Sequence, residues 1–354
     1  MKALILAGGK GTRLRPITFT NAKQLVPVAN KPILFYGIEA IRDSGITDVG
    51  IVVGDTHQEI RDAVGDGSRF GIQVTYIRQD KPLGLAHAVK VSRDFIAGEP
   101  FVMYLGDNLI KDGITSFVRE FERDRPNCQI LLAHVPNPQE FGVAELDGST
   151  VIRLEEKPEN PPSDLALVGV YMFDSSVFEA VDAIKPSNRN ELEITDAIQY
   201  LIDAKRDVRS HVITGWWKDT GKVEDMLEAN RIILDGLVSR IEGIVDETSE
   251  VEGALVIGKG SRITGSVLKG PLIIGEDCVI ENATIGPYTS IHDRVVIEGS
   301  KVEHSILLEG SRLIGLDRWV VSSLLGKDVQ ITRSSGPSDS YRFLVGDLGR
   351  IEVG

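Results

Sequence analysis

The chain has 354 residues, 42% hydrophobic and 26% charged, the make-up of an ordinary globular protein long enough for two domains. Its formal net charge of −13 argues against nucleic acid and an anionic membrane as general partners, and its apolar runs are strand-sized, far short of a membrane span. Cys128 and Cys278 are two and far apart, which excludes a disulfide framework and fits a reducing cytoplasm; the apolar run after Lys2 is too short for a secretory leader.

The first predicted element is a buried strand, ALILA (3–7). It runs into a loop holding Gly8, Gly9 and Gly11, followed by Arg13 and Arg15. Glycines directly after a strand let backbone N–H groups approach a phosphate. The spacing nevertheless fits neither common phosphate loop: G-x-G-x-x-G needs glycine where Leu14 stands, and G-x-x-x-x-G-K-[ST] begun at Gly8 needs it at Arg13. Residues 1–38 hold six basic residues (Lys2, Lys10, Arg13, Arg15, Lys23, Lys31) and no Asp or Glu. In an acidic chain this points to a local anion site.

A helix is predicted over 32–45, with Pro32 at its start and Gly45 after its end. Strands follow over 48–54, 72–77, 101–107 and 128–135, interleaved with helices over 57–64, 84–96 and 114–124. The alternation predicts a parallel-rich sheet covered on both faces, with ligands beyond the C-terminal strand ends. Residues 8–15 and 106–108 fall at such ends. From about residue 250 helix patterns stop. Aliphatic residues recur every six positions at Val267, Ile273, Val279, Ile285, Ile291 and Ile297, and after a one-residue slip at Val302, Leu308, Ile314 and Val320; Ile257 and Ile263 show the same spacing earlier. Period six belongs to neither helix nor plain strand; it is that of a hexapeptide solenoid. Residues 334–340 (SSGPSDS) look loose, and YRFLVG (341–346) suits one further strand.

LAGGKGTRLRPIT (6–18), AKQLVPVANKPI (22–33), RQDKPLGLAHA (78–88), YLGDN, EFGVAE, EEKP, ELEITD and WWKDTG occur in that order. Together they resemble the signature of the sugar nucleotidyltransferases over residues 1–237. The likeness is closest to the thymidylyl-transferring group, in the long form that carries a hexapeptide-repeat tail. The resemblance implies an α/β fold: a Rossmann-like, mixed and mostly parallel sheet over 1–238, a linker over 239–250, and a left-handed parallel β-helix with its tail over 251–354. It also implies transfer of a thymidylyl group from dTTP to glucose 1-phosphate, giving dTDP-glucose and pyrophosphate with the help of Mg²⁺.

Such chemistry is positioning plus positive charge, because two anions meet and charge builds on the leaving group. The resemblance gives Arg13 the β,γ-phosphates and Lys23 the space between the substrates. It makes Asp107 and Asp219 the metal carboxylates; unaided, these two read equally as a turn-former and a helix cap. Leu6, Gly8, Gly9, Gly11, Thr12, Gln24, Gln79 and Gly84 fall to the nucleotide. Gln24 and Gln79 would read a pyrimidine edge, on which thymine and uracil present the same hydrogen bonds. Asn108, Gly142, Glu156, Lys157, Val168 and Tyr171 fall to the sugar phosphate. Lys10 and Arg15 read equally as phosphate ligands or solvated charges, Trp216 and Trp217 as a sugar wall or packing, and Glu193 as structural. The six histidines have no metal spacing, and His57 and His87 receive no role. His292 and His304 are the only positional candidates for an acyl-transfer site in the tail, which otherwise reads as an assembly module of a homo-oligomer. UTP as donor, a bifunctional enzyme and a non-catalytic sugar-nucleotide sensor remain the alternatives.

Overall fold

The computed structural model describes residues 1–333 and 345–352. They form two compact units: one of Met1–Lys10, Asn21–Leu25 and Ile33–Asp219, the other of Gly11–Thr20, Val26–Pro32 and the chain from Thr220 onward.

The first unit is built on a nine-stranded sheet. Its strands lie in the order Gln73–Arg78, Asp48–Val53, Lys2–Leu6, Phe101–Leu105, Leu165–Phe173, Cys128–His134, Val208–Val212, Thr150–Glu156 and Gly142–Asp147. The first four are mutually parallel. The strand Lys2–Leu6 shows why they read as continuous apolar runs. Leu4 and Leu6 enter one core with Ala86, Val89 and Met103, while Ala3, Ile5 and Ala7 enter another with Ile38, Ile41 and Tyr104. Both faces are covered, so no position on the strand can be polar. The helix Ile33–Asp43 supplies part of the second cover: Ile33, Leu34, Gly37, Ile38 and Ile41 make its buried stripe, and Gly45 follows at φ +89°.

The expected helices at His57–Val64 and Thr115–Asp124 are present. The single helix expected over 84–96 is two, Leu85–Val91 and Arg93–Ile96, interrupted at Ser92, whose hydroxyl donates back to the Ala88 carbonyl at 2.7 Å. The strand Leu165–Phe173 enters the middle of the sheet antiparallel to both neighbours, and its ladder shifts register between Leu167 and Tyr171. An apolar run carries no mark of its direction, so this reversal is set by the chain's return path.

In the second unit the C-terminal strands stack into three parallel sheets, two of six strands and one of five, the arrangement of a parallel β-helix. In the earlier coils partners lie 17 residues apart, as in Ile257↔Ile274, Ile263↔Ile280 and Leu268↔Ile285; later ones lie 16 apart, as in Ile291↔Leu307, or 18, as in Leu307↔Leu325. One face of each 17-residue coil is therefore a residue shorter than strict hexads require. In consequence Leu268, Ile274 and Ile280, rather than Val267, Ile273 and Val279, fill the interior. Residues 239–250, read as a linker, hold strands Arg240–Ile241 and Ile244–Val245, which pair with 256–257 and 262–263. They are the first coil; with no coil before them, Ile241 and Ile244 stay exposed and the stretch lacks the buried aliphatic column. The helix Val223–Leu234 docks on the solenoid through the buried Asn230, which accepts from Ala29 N and Ser290 Oγ and donates to the Tyr288 carbonyl. The strand expected over 341–346 lies mostly outside the described residues.

Candidate active site

Three parallel strands of the first unit end side by side, because the register sets Leu6 beside both Val52 and Leu105. The loops that follow carry Gly8 and Gly9, Gly54, and Gly106 with Asp107. They pack backbone to backbone: a Cβ on Gly54 would lie 3.0 Å from the Gly8 carbonyl oxygen.

Lys23 is in a short 3₁₀ turn, Lys23–Leu25, and is 8% exposed. Its ammonium is hydrogen-bonded to Asp107 Oδ2 and stands 3.6 Å from Asp219 Oδ1. Asp107 and Asp219 meet although they are far apart in the chain, because Trp217–Asp219 pairs antiparallel with Asn108–Ile110 and puts Asp219 opposite Asn108. The cap reading of Asp219 is excluded, since the helix begins at Val223 with Lys222 and Asp225 forming its cap. Burial pushes the Asp107 carboxyl up; the Lys23 ammonium and its hydrogen bond outweigh this and hold it below its ordinary value. Asn108 directs both its amide groups inward, Nδ2 to Asp107 Oδ1 at 3.1 Å and Oδ1 to Trp217 Nε1 at 2.6 Å. Asn108 and Trp217 thus orient the carboxylate, and Trp217 also packs edge-on against Phe141. Two converging carboxylates suit a hard cation that takes few protein ligands and completes its shell with phosphate oxygens and water. Among the described residues no cluster of three or more His, Cys, Asp or Glu offers a softer or fuller cage.

Gln24 and Gln79 flank the glycine loop. Gln24 is buried, its Nε2 3.4 Å from where a Gly9 Cβ would stand, and its Oε1 has no hydrogen-bond partner among the described residues. A buried acceptor left open is costly unless a ligand supplies a donor. Gln79 turns Oε1 toward Gly8, at 3.5 Å from its Cβ position. Gly84 has φ +102°, and a Cβ there would lie 2.4 Å from the Leu192 carbonyl oxygen, so glycine is demanded by this turn whatever binds nearby.

A second group sits where Gly142 pairs with Glu156. Glu156 accepts from Arg189 Nη1 at 3.1 Å and from Thr195 Oγ1 at 3.4 Å. Burial and the neighbouring Glu193 carboxylate push its own carboxyl up. Lys157, exposed and at φ +44°, makes no side-chain bond among the described residues. Val168 and Tyr171 are core residues; Tyr171 stacks on Phe173, and burial raises its phenol. Glu193 is buried, bonded to Ser187 and near Arg189. Arg189 is the residue the sequence reading missed here; it follows no strand end and precedes ELEITD as one basic residue among many.

Leu6 ends its strand in the first unit. Gly11, Thr12 and Arg13 belong to the second unit, with Gly11 at φ +60° ahead of the turn Thr12–Leu14 and the Arg13 guanidinium lying against Gly221. Lys10 pairs with the exposed Asp55 at 3.2 Å, and Arg15 lies over the Phe19 ring. Trp216 gives its carbonyl to Lys111 N.

A lysine shared by two carboxylates beside a glycine loop at parallel strand ends is a phosphoryl-transfer arrangement, and the chain belongs to the nucleotidyl transferase family, whose model matches residues 2–236. Over its full length it is similar to the glucose-1-phosphate thymidylyltransferases of Streptomyces griseus, at 55% identity, and Streptomyces antibioticus, at 56%, covering 99% of each. Among solved structures, a Bacillus anthracis chain described as a glucose-1-phosphate thymidylyltransferase in complex with a sucrose matches 68% of this chain and 98% of its own, at 36% identity and TM-score 0.63. A UDP-glucose pyrophosphorylase complexed with UDP-glucose matches 66% and 98%, at 27% and 0.60. Nucleotidyltransferases of this family generally use a divalent metal ion. Among the described residues no helix is long and apolar enough to cross a membrane.

Proposed function

We propose that this chain transfers a thymidylyl group from dTTP to glucose 1-phosphate, releasing pyrophosphate. The observation that carries the reading is the buried Lys23 between Asp107 and Asp219. A sugar-phosphate oxygen attacks the α-phosphorus, the bond to the β-phosphate breaks, and the electron pair leaves with pyrophosphate. Lys23 offsets the charge of the two anions as they close, which no neutral side chain does. Asp107 and Asp219 would hold Mg²⁺, which supplies charge neutralisation at the phosphates. Arg13 suits the departing pyrophosphate through its planar fork. Leu6, Gly8, Gly9, Gly11, Thr12 and Gly84 form the nucleotide cradle, and Gln24 and Gln79 read the base; the open Gln24 Oε1 supports this.

On the sugar side Gly142, Glu156 and Lys157 do the binding. Glu156 accepts hydroxyl hydrogens, and the solvent-facing Lys157 meets the sugar phosphate. Asn108, Val168 and Tyr171 are assigned to the same sugar-phosphate site. We place the catalytic domain at 1–238 and the protein in the cytoplasm as a homo-oligomer, consistent with two buried free thiols. The test is pyrophosphate release from glucose 1-phosphate and Mg²⁺ with dTTP, UTP, ATP, CTP and GTP in parallel. Preference for dTTP supports the reading; equal turnover with UTP moves the donor, and no turnover with any triphosphate overturns it.

A further inference from the structure

His87 lies on the helix Leu85–Val91, one turn from Gly84, and its Nδ1 is 3.0 Å from Gln79 Nε2. Gln79 Nε2 also donates to the Gly84 carbonyl oxygen at 3.2 Å. A carbonyl oxygen only accepts, so this contact fixes which end of the Gln79 amide points that way. The second hydrogen of the same nitrogen then goes to His87 Nδ1, which must be the unprotonated ring nitrogen. Both amide hydrogens are used, and the one atom left to face the glycine loop is Oε1, an acceptor.

The frame around this contact is rigid. Gly84 is held at φ +102° against Leu192, whose N–H donates to the Leu83 carbonyl at 2.7 Å and whose carbonyl accepts from Ala86 N at 3.0 Å. The helix carrying His87 therefore starts from a pinned turn. Burial, with the Lys90 charge adding to it, lowers the His87 pKa and keeps the ring neutral, as an acceptor nitrogen requires.

We propose that His87 is a positioning residue for Gln79: it locks the amide with its oxygen toward the nucleotide and so selects bases that carry an N3–H over bases that present a bare N3. The inference rests on the reading that Gln79 faces the base. Thymine and uracil carry that hydrogen, and cytosine offers a lone pair there instead. With the amide locked, cytosine meets acceptor against acceptor. Without the His87 nitrogen, only the 3.2 Å contact to the Gly84 carbonyl among the described residues still opposes a turn of the amide, and the turned amide accommodates cytosine.

The test compares the wild type with His87→Leu, which has similar bulk and no acceptor, and His87→Asn, whose Oδ1 stands at the same bond distance as Nδ1. Kinetics are measured separately for dTTP and dCTP with glucose 1-phosphate and Mg²⁺, with folding checked by far-UV circular dichroism. His87→Leu is expected to lower the dTTP-over-dCTP ratio of kcat/KM about tenfold or more. The change should come mainly through a higher KM for dTTP, and His87→Asn should restore most of the ratio. If His87→Leu fails to fold, His87→Ala makes the same comparison. A ratio unchanged in the variant lacking an acceptor, or equal losses in the leucine and asparagine variants, overturns the inference while leaving the enzyme's activity standing. A wild type that turns over neither triphosphate overturns both this inference and the function on which it rests.

Discussion

Replacing Lys23 by alanine tests the centre of the site in two independent ways. The side chain is 8% exposed and its ammonium serves two carboxylates, Asp107 and Asp219, each 23% exposed. Removing one partner of a buried ion pair costs about 3–5 kcal/mol when the remaining charge is stranded. Here water still reaches both carboxylates, so a destabilisation of about 2–3 kcal/mol is expected. For catalysis, losing a preorganised positive charge at a developing anion costs about 10²–10³-fold in kcat. The assays are pyrophosphate release for turnover and urea unfolding with and without Mg²⁺ for stability. A divalent cation between the same carboxylates replaces the missing charge, so Mg²⁺ should recover much of the lost stability and little of the lost rate. Near-wild-type kcat, or a stability loss indifferent to Mg²⁺, would refute the arrangement inferred for Lys23 and its two carboxylates.

Gly84→Ala forces a side chain into a left-handed position with Leu192 2.4 Å away, and should destabilise the first unit by about 3 kcal/mol, read from its melting temperature. Asn230→Leu strands Ala29 N, Ser290 Oγ and the Tyr288 carbonyl inside the second unit, a loss of about 3 kcal/mol on urea unfolding. The raised Glu156 carboxyl, pushed up first by burial and then by Glu193, favours the protonated form when folded. Its contribution is complete below about pH 4.5 and is lost as pH rises through the raised value, so Glu156→Gln should gain stability relative to wild type across that rise and then level off. Both thiols are buried, Cys278 with its pKa pushed up to about 11 and Cys128 also raised, so a thiol reagent at pH 8 should label neither until the chain is denatured.

What the sequence disclosed was whatever depends on near neighbours in the chain. The run at Lys2–Leu6 announced a strand covered on both faces, and the spacing of Ile33, Leu34, Ile38 and Ile41 announced the buried side of a helix. The aliphatic repeat announced the solenoid, but not which column turns inward, because strict counting by six drifts against a coil of 17. Long-range pairing stayed hidden. Asp107 and Asp219 converge only through the ladder between 108–110 and 217–219, and neither segment's composition names the other. The motifs carried the assignment, whereas the geometry shows how it is met: Asn108 and Trp217 hold one carboxylate, and Arg189 holds Glu156. His87 was named and given no role for a related reason, since its part lies in the one nitrogen it offers to Gln79, and a lone histidine on a helix carries no such label.

The stacked coils also make the tail a ruler graduated in strands. Each coil lifts the chain by one strand spacing, about 4.8 Å, so six stacked strands rise about 24 Å. In a stack whose coils touch only their neighbours, length is added or removed in whole coils. Inserting or removing one whole coil between two others keeps every aliphatic side chain in its column and changes only the height of the rod. A change of one or two residues is taken up at the turns, as the coils of 16 and 18 residues beside those of 17 show, and leaves the height of the rod unchanged. Differences in height among tails of this kind should therefore come in whole coils, and a shortened tail cut to whole coils is the one that should still fold.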